Sequence, residues 1–363
     1  MPSIIDLPSV VAGLKEDERE LFSRFFIVQE TIGKLALPKE MKPWAEKSFG
    51  SISNVESQKI IRVFNKLTFE MALFNELRAK RPIEAKVDED ALKIVKENVS
   101  DHFAKPKAST PMESFGRIKG KYCITASNVA KYDGLHGLVI FKKSNPLEFN
   151  EKELQDYFAT ALKWFEKAHK SNKQANYPFL LWNCLWKAGA SIIHGHMQLV
   201  LGEGMHYSEA ELYNKIRKEY DEKHKESKGD FFQDLFRAHE LIGLGLRRKG
   251  VLVFFSITPK KDKEITIVSE KLDKNCVRAI HNAALCLVKE MGVNSFNLGV
   301  IMPPVDKVER EGNWKGFPVI ARIVSRGSLS NKTSDIGGVE MFSGSKVIET
   351  DPYRVFEKIN AYF

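Results

Sequence analysis

Hydrophobic and polar positions along the chain follow two periods, one typical of strands and one typical of helices, and their order repeats. HGLVIFKK is strand-like, and a helix is expected after Asn150, because Asn150 and Glu153 match a capping box. One face of this helix is apolar: Leu154, Phe158, Ala161, Leu162 and Phe165. Strand-like PFLLWNC and HGHMQLVL follow. The order strand, helix, strand, strand then occurs a second time. Its segments are strand-like EITIVSEK, a helix expected from Asp273 to Met291, and strand-like SFNLGVIMP and FPVIARIVS.

The segments around these two copies complete the prediction. Residues 1–55 are predicted to be helical, short strands around a turn are expected from Ile60 to Arg81, and a helical connection is expected from Ser208 to Leu246. We therefore predict an α+β chain with four parts. These are a helical N-terminal extension (1–55), a first unit (56–206), the helical connection (207–246) and a second unit (247–363).

The strand-like segment of the first copy carries two imidazoles and a carboxamide at alternate positions. His194, His196 and Gln198 would share one face of a strand, with Ile193, Met197 and Leu199 packing around them. The second copy has apolar residues where polar groups would be needed: Val319, Ala321 and Ile323. We therefore expect the second unit to be structural, or to lend residues to a site centred on the first.

This row suits nucleophilic attack on phosphorus. A nucleophilic His196 needs one unprotonated ring nitrogen, with the other held by an acceptor such as a backbone carbonyl. Gln198 and Ser191 can donate to phosphoryl oxygens without acting as a base toward water, which favours transfer over hydrolysis. The alternative is that both histidines are buried, bonded to backbone groups and without a catalytic role.

The composition is typical of a globular protein and argues against a membrane-spanning one. The chain has 363 residues, 43% of them hydrophobic, which is enough for buried cores, and its apolar runs are too short to span a membrane. The four cysteines form no CxxC pair, and no basic segment leads an apolar core at the N-terminus, so a cytoplasmic location is expected. The net charge of +9 is spread over mixed-charge segments, so we expect neither a nucleic-acid partner nor a membrane partner.

Seven positions in this region resemble the signature of the galactose-1-phosphate uridylyltransferase branch of the histidine-triad superfamily. That signature is Asn, then Gly-x-Ser, then His-x-His-x-Gln, and it is matched by Asn183, Gly189, Ala190, Ser191, His194, His196 and Gln198. RAKRP, residues 78–82, is similar to an early basic motif of the family. Asn128 and the segment GVEM around Glu340 are similar to two further motifs. The resemblance runs from about Ile60 to the C-terminus.

The resemblance implies a role for each matched residue. His196 would be the nucleophile, Gln198 and Ser191 would hold the transferred phosphoryl group, and Arg78 and Arg81 would bind phosphate oxygens. Asn128 would contact the nucleoside, Asn183 would belong to the substrate site, and Glu340 would bind sugar hydroxyls. The family's fold would be two tandem histidine-triad-like units with antiparallel sheets and packed helices, paired in a homodimer.

Departures from the family pattern limit what the resemblance implies. Bacterial members often hold a structural zinc through an N-terminal cysteine pair and two histidines. This chain lacks the pair and has Ser144 to Pro146 where a ligand histidine is expected. We therefore expect no cofactor and no metal, with His194 as a hydrogen-bonding neighbour. Lys346 stands where the family has glutamine, and Ser334 and Asp335 stand where a basic and an aromatic residue are expected. Because of these changes, the resemblance does not determine which molecule accepts the transferred group.

The sequence thus predicts a nucleotidyltransferase. It would move a nucleoside monophosphate from a nucleotide-sugar-type donor to a phosphate-bearing acceptor, a sugar 1-phosphate above all, through a nucleotidyl-histidine on His196. Two alternatives stay open: a dinucleoside polyphosphate phosphorylase or hydrolase of the same superfamily, and a non-catalytic nucleotide- or RNA-binding protein. Glu340 favours a sugar acceptor, whereas Lys346 favours an additional phosphate.

Overall fold

A computed structural model describes residues 2–79, 91–97, 102–331 and 333–363. The strands β1 to β13 are, in order, Phe26–Lys34, Ser57–Asn65, Met71–Phe74, Cys123–Ser127, Leu135–Phe141, Ala175–Cys184, His196–Glu203, Gly245–Arg248, Val251–Phe255, Ile265–Ser269, Phe296–Ile301, Val319–Ser325 and Ser345–Ile348. The helices α1 to α14 are Leu7–Ala12, Glu16–Phe25, Lys42–Phe49, Ile52–Glu56, Glu76–Ala79, Ala91–Glu97, Pro106–Ser109, Glu151–Ser171, Ser208–Lys223, Phe231–Leu241, Lys274–Lys289, Lys307–Glu311, Gly338–Ser343 and Pro352–Asn360. The chain is therefore α+β, as predicted from the sequence.

The two copies join in one antiparallel sheet. Its strand order is β4-β5-β7-β6-β11-β12-β10-β9-β8, so the order β5-β7-β6 is mirrored by β11-β12-β10 about the β6–β11 pair. The long helix of each copy packs on its own strands, α8 on β4 to β7 and α11 on β9, β10 and β12. Valine, isoleucine and phenylalanine dominate the second copy's strands, which are buried. The predicted duplication is thus present, and the two copies share a continuous sheet.

A smaller sheet lies outside the duplication. Its order is β1-β2-β3-β13, with β1, β2 and β3 antiparallel and β13 parallel to β3. The prediction that residues 1–55 are helical is therefore wrong for Phe26–Lys34, which pairs along its whole length with β2. Residues 57–74, which the sequence analysis assigned to the first unit, also belong to this sheet rather than to the antiparallel sheet of the two copies.

The second copy places a charged residue on the face that corresponds to the histidine row. Arg322 of β12 reaches Glu209 and Tyr213 of α9, so Val319, Ala321 and Ile323 lie on the opposite face, toward α11. The sequence analysis placed Val319, Ala321 and Ile323 on the face of the histidine row, and this assignment is wrong by one residue along β12. Arg322 also bonds Glu264 and Glu70, which makes it the centre of a buried ion cluster.

Candidate active site

His196 and Gln198 lie on the face of β7 that points away from α8. In β5, Ile140 lies opposite His196 and Leu138 lies opposite Gln198. Phe141, on the other face of β5, stacks on Tyr157 of α8 with ring centroids 4.0 Å apart. Met197 and Leu199 share that helix-covered face and are fully buried, as predicted. His196 and Gln198 are each 7% exposed, so they lie in a nearly water-free recess.

The His196 ring is held by the backbone. Its Nδ1 lies 2.8 Å from the carbonyl oxygen of His194. A carbonyl oxygen can only accept, so Nδ1 carries the proton and donates it. In the neutral ring the lone pair is then on Nε2, the nitrogen on the far side of the imidazole. This tautomer is the one that a phosphorus nucleophile requires.

His194 precedes the strand, which corrects the prediction that three alternate strand positions form the row. β7 begins at His196, and the His194 Nε2 donates to the carbonyl oxygen of Phe141 at 2.9 Å. Gly195 is fixed on both sides, because its N–H donates to Ser144 (2.8 Å) and its carbonyl accepts from the Phe141 N–H (2.9 Å). His194 therefore contributes its backbone carbonyl to His196 and uses its ring to anchor this segment to the end of β5.

Gln198 forms part of a second polar group with residues of β5 and the loop before it. Its Oε1 lies 3.0 Å from His136 Nε2, and the Tyr132 N–H donates to His136 Nδ1 at 3.0 Å. Asn128, predicted to contact a nucleoside, has its amide nitrogen 3.2 Å from the same His136 Nε2. Burial lowers the pKa of the fully buried His136, and the nearby Lys131 ammonium lowers this pKa further.

An aromatic side chain covers the two histidines. Phe103 makes edge contacts with His196 and His194, with ring centroids 5.1 and 6.1 Å apart. It packs in a small apolar cluster beside the row, which also contains Ala126, Leu138, Ile140, Ile124 and Ile192. His196 thus has polar neighbours on one side, Gln198 and His136, and a packed apolar cluster around Phe103 on the other.

Asn183 continues the polar face toward the second copy. Leu181 lies opposite Gln198 in the β6–β7 register, and Asn183 is two residues further along β6, toward the His196 end. Its Oδ1 accepts from Asn297 of β11 at 2.7 Å, and the Arg326 guanidinium donates to Asn297. Ser191 is exposed in the turn before β7. These residues are in the vicinity that the sequence predicted, and their roles stay predictions.

The structure brings Arg78 and Glu340 together in a separate cleft of about 480 Å³. Glu340 is held there by Lys261 (2.6 Å) and by the Gly337 N–H (2.7 Å). Asp335 and Ser334 also line the cleft, together with Lys187, Lys263 and Arg326. Val347 lines it too, so its strand neighbour Lys346 points to the other side. Arg81 lies outside the described residues.

The described residues contain neither a metal-binding cluster nor a membrane-spanning helix. Among the residues that the structure describes, no three histidine, cysteine, aspartate or glutamate side chains cluster as a metal site would require. The expectation of a chain without zinc stays a prediction. None of the described helices combines the length and apolar character that spanning a bilayer takes.

Sequence reasoning missed His136, Tyr132 and Phe103. His136 stands one residue before the predicted strand Gly137 to Lys142, whereas β5 begins at Leu135, and a longer strand would have placed it beside the row. Tyr132 acts through its backbone N–H, for which a sequence carries no signal. Phe103 comes from a part of the chain with no periodic pattern leading to the site.

Comparison with known proteins identifies the fold. No protein-family model matches the chain, and a search of curated proteins finds no match. Among solved structures, an ADP-glucose phosphorylase from Arabidopsis thaliana with bound ADP-glucose matches at a TM-score of 0.59 and 14% identity, over 81% of this chain and 96% of that one. A GalT-like protein from Arabidopsis thaliana matches at 0.53 and 14% identity, over 72% and 91%.

A uridylyltransferase also matches, at a TM-score of 0.53 and 14% identity, over 84% of this chain and 98% of that one. At this identity the likeness concerns the fold. It spans both copies and agrees with the mirrored strand order of the large sheet. The chain therefore has the fold that these three structures share, and at the level of the fold the resemblance found in the sequence is confirmed.

Proposed function

We propose that the chain is a nucleotidyltransferase that passes a nucleoside monophosphate through a covalent intermediate on His196. The observation that carries this proposal is the hydrogen bond from His196 Nδ1 to the His194 carbonyl, which leaves the lone pair on Nε2, while Gln198 lies two residues further along the same strand face. His169 and His239 also hold Nδ1 against a backbone carbonyl, so what sets His196 apart is the combination of this tautomer with the neutral amide of Gln198 on the same strand face.

The reaction balances without a general base. The Nε2 lone pair attacks the α-phosphorus of the donor, the N–P bond forms, and the bond from phosphorus to the bridging oxygen breaks with release of a phosphate ester. An acceptor phosphate oxygen then attacks the same phosphorus, and the N–P bond breaks. The imidazole becomes cationic while it carries the nucleotide, and the Nδ1–H donated to the His194 carbonyl stabilises that charge.

The structural likeness supports the proposed donor class. One structure with this fold is a phosphorylase with bound ADP-glucose, and another is a uridylyltransferase. A nucleotide sugar with either base therefore fits the proposal. Glu340, buried in a cleft with several cations, supports an acceptor that carries both hydroxyl and phosphate groups, such as a sugar 1-phosphate.

Intact-protein mass spectrometry tests the proposal. Incubation with UDP-glucose, ADP-glucose or diadenosine tetraphosphate should add a uridylyl or adenylyl group to the wild-type chain, which is the mass of UMP or AMP less one water. His196→Gly should abolish the adduct. A matched control is His206→Gly, which removes another buried histidine bonded to a backbone carbonyl, that of Met302 (3.0 Å), and should keep it. Folded wild-type protein that gains no mass with any donor, or an adduct that survives in His196→Gly, would refute the proposal.

A phosphorylase is the second candidate. The likeness to an ADP-glucose phosphorylase favours it, because that name specifies inorganic phosphate as the acceptor. Turnover of the adduct with sugar 1-phosphate, inorganic phosphate and water separates transferase, phosphorylase and hydrolase. RNA affinity that falls steeply with salt, without any donor turnover, would instead indicate a binding protein.

A further inference from the structure

His136 is the buried histidine whose ring contacts Gln198, and its protonation state can be read from its partners. The Tyr132 backbone N–H lies 3.0 Å from His136 Nδ1, and a backbone N–H can only donate. Nδ1 must therefore be unprotonated, and in the neutral ring the proton is on Nε2. Burial lowers the pKa of His136, which keeps the ring neutral at neutral pH.

This tautomer decides which end of the Gln198 amide faces His136. Nε2–H can only donate, so the group 3.0 Å away must be the carboxamide oxygen of Gln198, as the structure has it. The NH₂ group of Gln198 then points away from His136. Asn128 Oδ1 accepts from the Ala130 N–H at 3.2 Å, so the Asn128 NH₂ group faces the same His136 nitrogen at 3.2 Å. With Nε2 protonated, this is a contact between two donors and not a hydrogen bond, so the Gln198 oxygen is the acceptor of the Nε2–H.

The His136 ring is itself fixed on several sides. It stacks on the Tyr132 ring with centroids 4.6 Å apart, and its carbonyl accepts from the Asn128 N–H at 2.8 Å. Lys131 lies between that carbonyl (3.4 Å), Glu113 (3.2 Å) and Ser127 (2.8 Å), so the loop before β5 is tied to its surroundings. Rotation of the ring would break the bond from the Tyr132 N–H, the contact with Gln198 and the stacking on Tyr132, so the ring orientation that faces the Gln198 amide is fixed.

We propose that His136 is a positioning residue that locks the Gln198 carboxamide with its NH₂ group toward the phosphoryl group carried by His196. The inference rests on the proposed function. An amide that could flip would present its oxygen to a phosphoryl oxygen for part of the time, and the two acceptors would repel each other. His136 removes that orientation, and the donor is in place before the phosphoryl group arrives.

Phosphorothioate donors test the orientation directly. Sulfur accepts hydrogen bonds poorly, so the two α-thio diastereomers of the reactive nucleotide sugar should form the adduct at different rates in the wild type. Gln198→Ala should reduce this preference. His136→Phe keeps a ring against Tyr132 but removes the donor, and it should slow adduct formation by about 10-fold or more and reduce the preference similarly. In the Gln198→Ala background, His136→Phe should add little.

Two further variants separate positioning from packing. His136→Gln, which keeps an N–H donor, should recover part of the rate lost in His136→Phe. His169→Phe, which makes the same exchange at a buried histidine of α8 outside the candidate site, should react like the wild type. The inference is overturned if His136→Phe leaves the diastereomer preference intact, or if it slows the reaction equally with and without Gln198. Failure of the folded wild type to form any adduct would refute the proposed function instead, and the positioning role with it.

Nitrogen NMR of histidine-labelled protein tests the geometry without activity. His136 should have its proton on Nε2 and His196 should have its proton on Nδ1, which are opposite tautomers. Gln198→Ala should shift the Nε2 resonance of His136. A His136 ring with its proton on Nδ1, or one that does not respond to Gln198→Ala, would overturn the inference whatever the enzyme does.

Discussion

At the scale of single residues, Gly195 shows why the two histidines are separated by a residue without a side chain. A Cβ atom at Gly195 would lie 2.5 Å from Cδ2 of the Phe141 ring and 3.3 Å from the Lys143 carbonyl oxygen. Phe141 cannot yield easily, because it is stacked on Tyr157. The close approach of the Gly195 backbone to β5 is what allows His194 to bond the Phe141 carbonyl.

Replacing Gly195 with alanine should therefore affect both stability and the candidate site. Overpacking at a site this tight costs about 1–3 kcal/mol, so urea unfolding should show a lower free energy of unfolding for Gly195→Ala. Adduct formation should slow as well, because both histidines shift. Gly299→Ala is the matched control, since its Cβ would only touch Phe179 at 3.5 Å. Equal losses in the two variants would contradict this account.

At the scale of elements, helix α8 shows what a local pattern can predict. Asn150 Oδ1 accepts from the Glu153 N–H at 3.0 Å, and the Asn150 N–H donates to the Glu153 carboxylate at 3.1 Å, so the predicted capping box is present. Lys143, two residues after the end of β5, also pairs with Glu153 at 2.9 Å. The cap therefore sets where α8 begins and connects it to the strand beside the histidine row.

Removal of the cap should have a measurable cost. Asn150→Ala leaves the Glu153 N–H without its side-chain acceptor, which should lower the free energy of unfolding by about 1 kcal/mol in urea titrations. Asn150→Ser keeps an acceptor at the same position and should lose much less. A serine variant as unstable as the alanine variant would show that packing, not capping, determines the effect.

Elements that depend on distant partners were predicted less well. The capping box and the helical face of α8 lie within a few residues of each other, so the sequence alone identified them. β1 was taken for a helix because its partner, β2, begins only at Ser57, and the pairing compensates for a weak local pattern. His196 and Gln198 were predicted from their alternate spacing and Asn183 from the family resemblance, whereas His136 and Phe103 reach the row only through the fold.

At the scale of the whole molecule, Arg322 joins parts of the chain that are far apart in sequence. Its guanidinium bonds Glu264 (2.7 Å) at the start of β10, Glu70 (2.9 Å) next to the small sheet, and Glu209 (3.1 Å) in α9. The Glu264 side chain is fully buried. One cation thus holds the second copy, the N-terminal sheet and the helical connection together.

Arg322→Met should be among the most destabilising substitutions in this protein. It leaves the Glu264 carboxylate buried without its cation, which costs about 3–5 kcal/mol, and a lower melting temperature should be measured by calorimetry. Arg278 provides the control, because its ion pair with Glu151 is exposed on both sides (41% and 37%). Arg278→Met should cost about 1 kcal/mol or less. Similar losses of unfolding free energy in both variants would mean that the buried ion cluster stabilises the fold no more than an exposed ion pair does.

The parallel pairing of β13 with β3 has a consequence for synthesis of the chain. Ser345 of β13 pairs with Met71 of β3, 274 residues earlier. Asp351, which follows β13, accepts hydrogen bonds from Ser3 and Ile4 near the N-terminus. The small sheet cannot be completed on the ribosome until both copies of the large sheet have been translated. Its first three strands must therefore wait with an unpaired edge during elongation, which is when this protein is most exposed to aggregation.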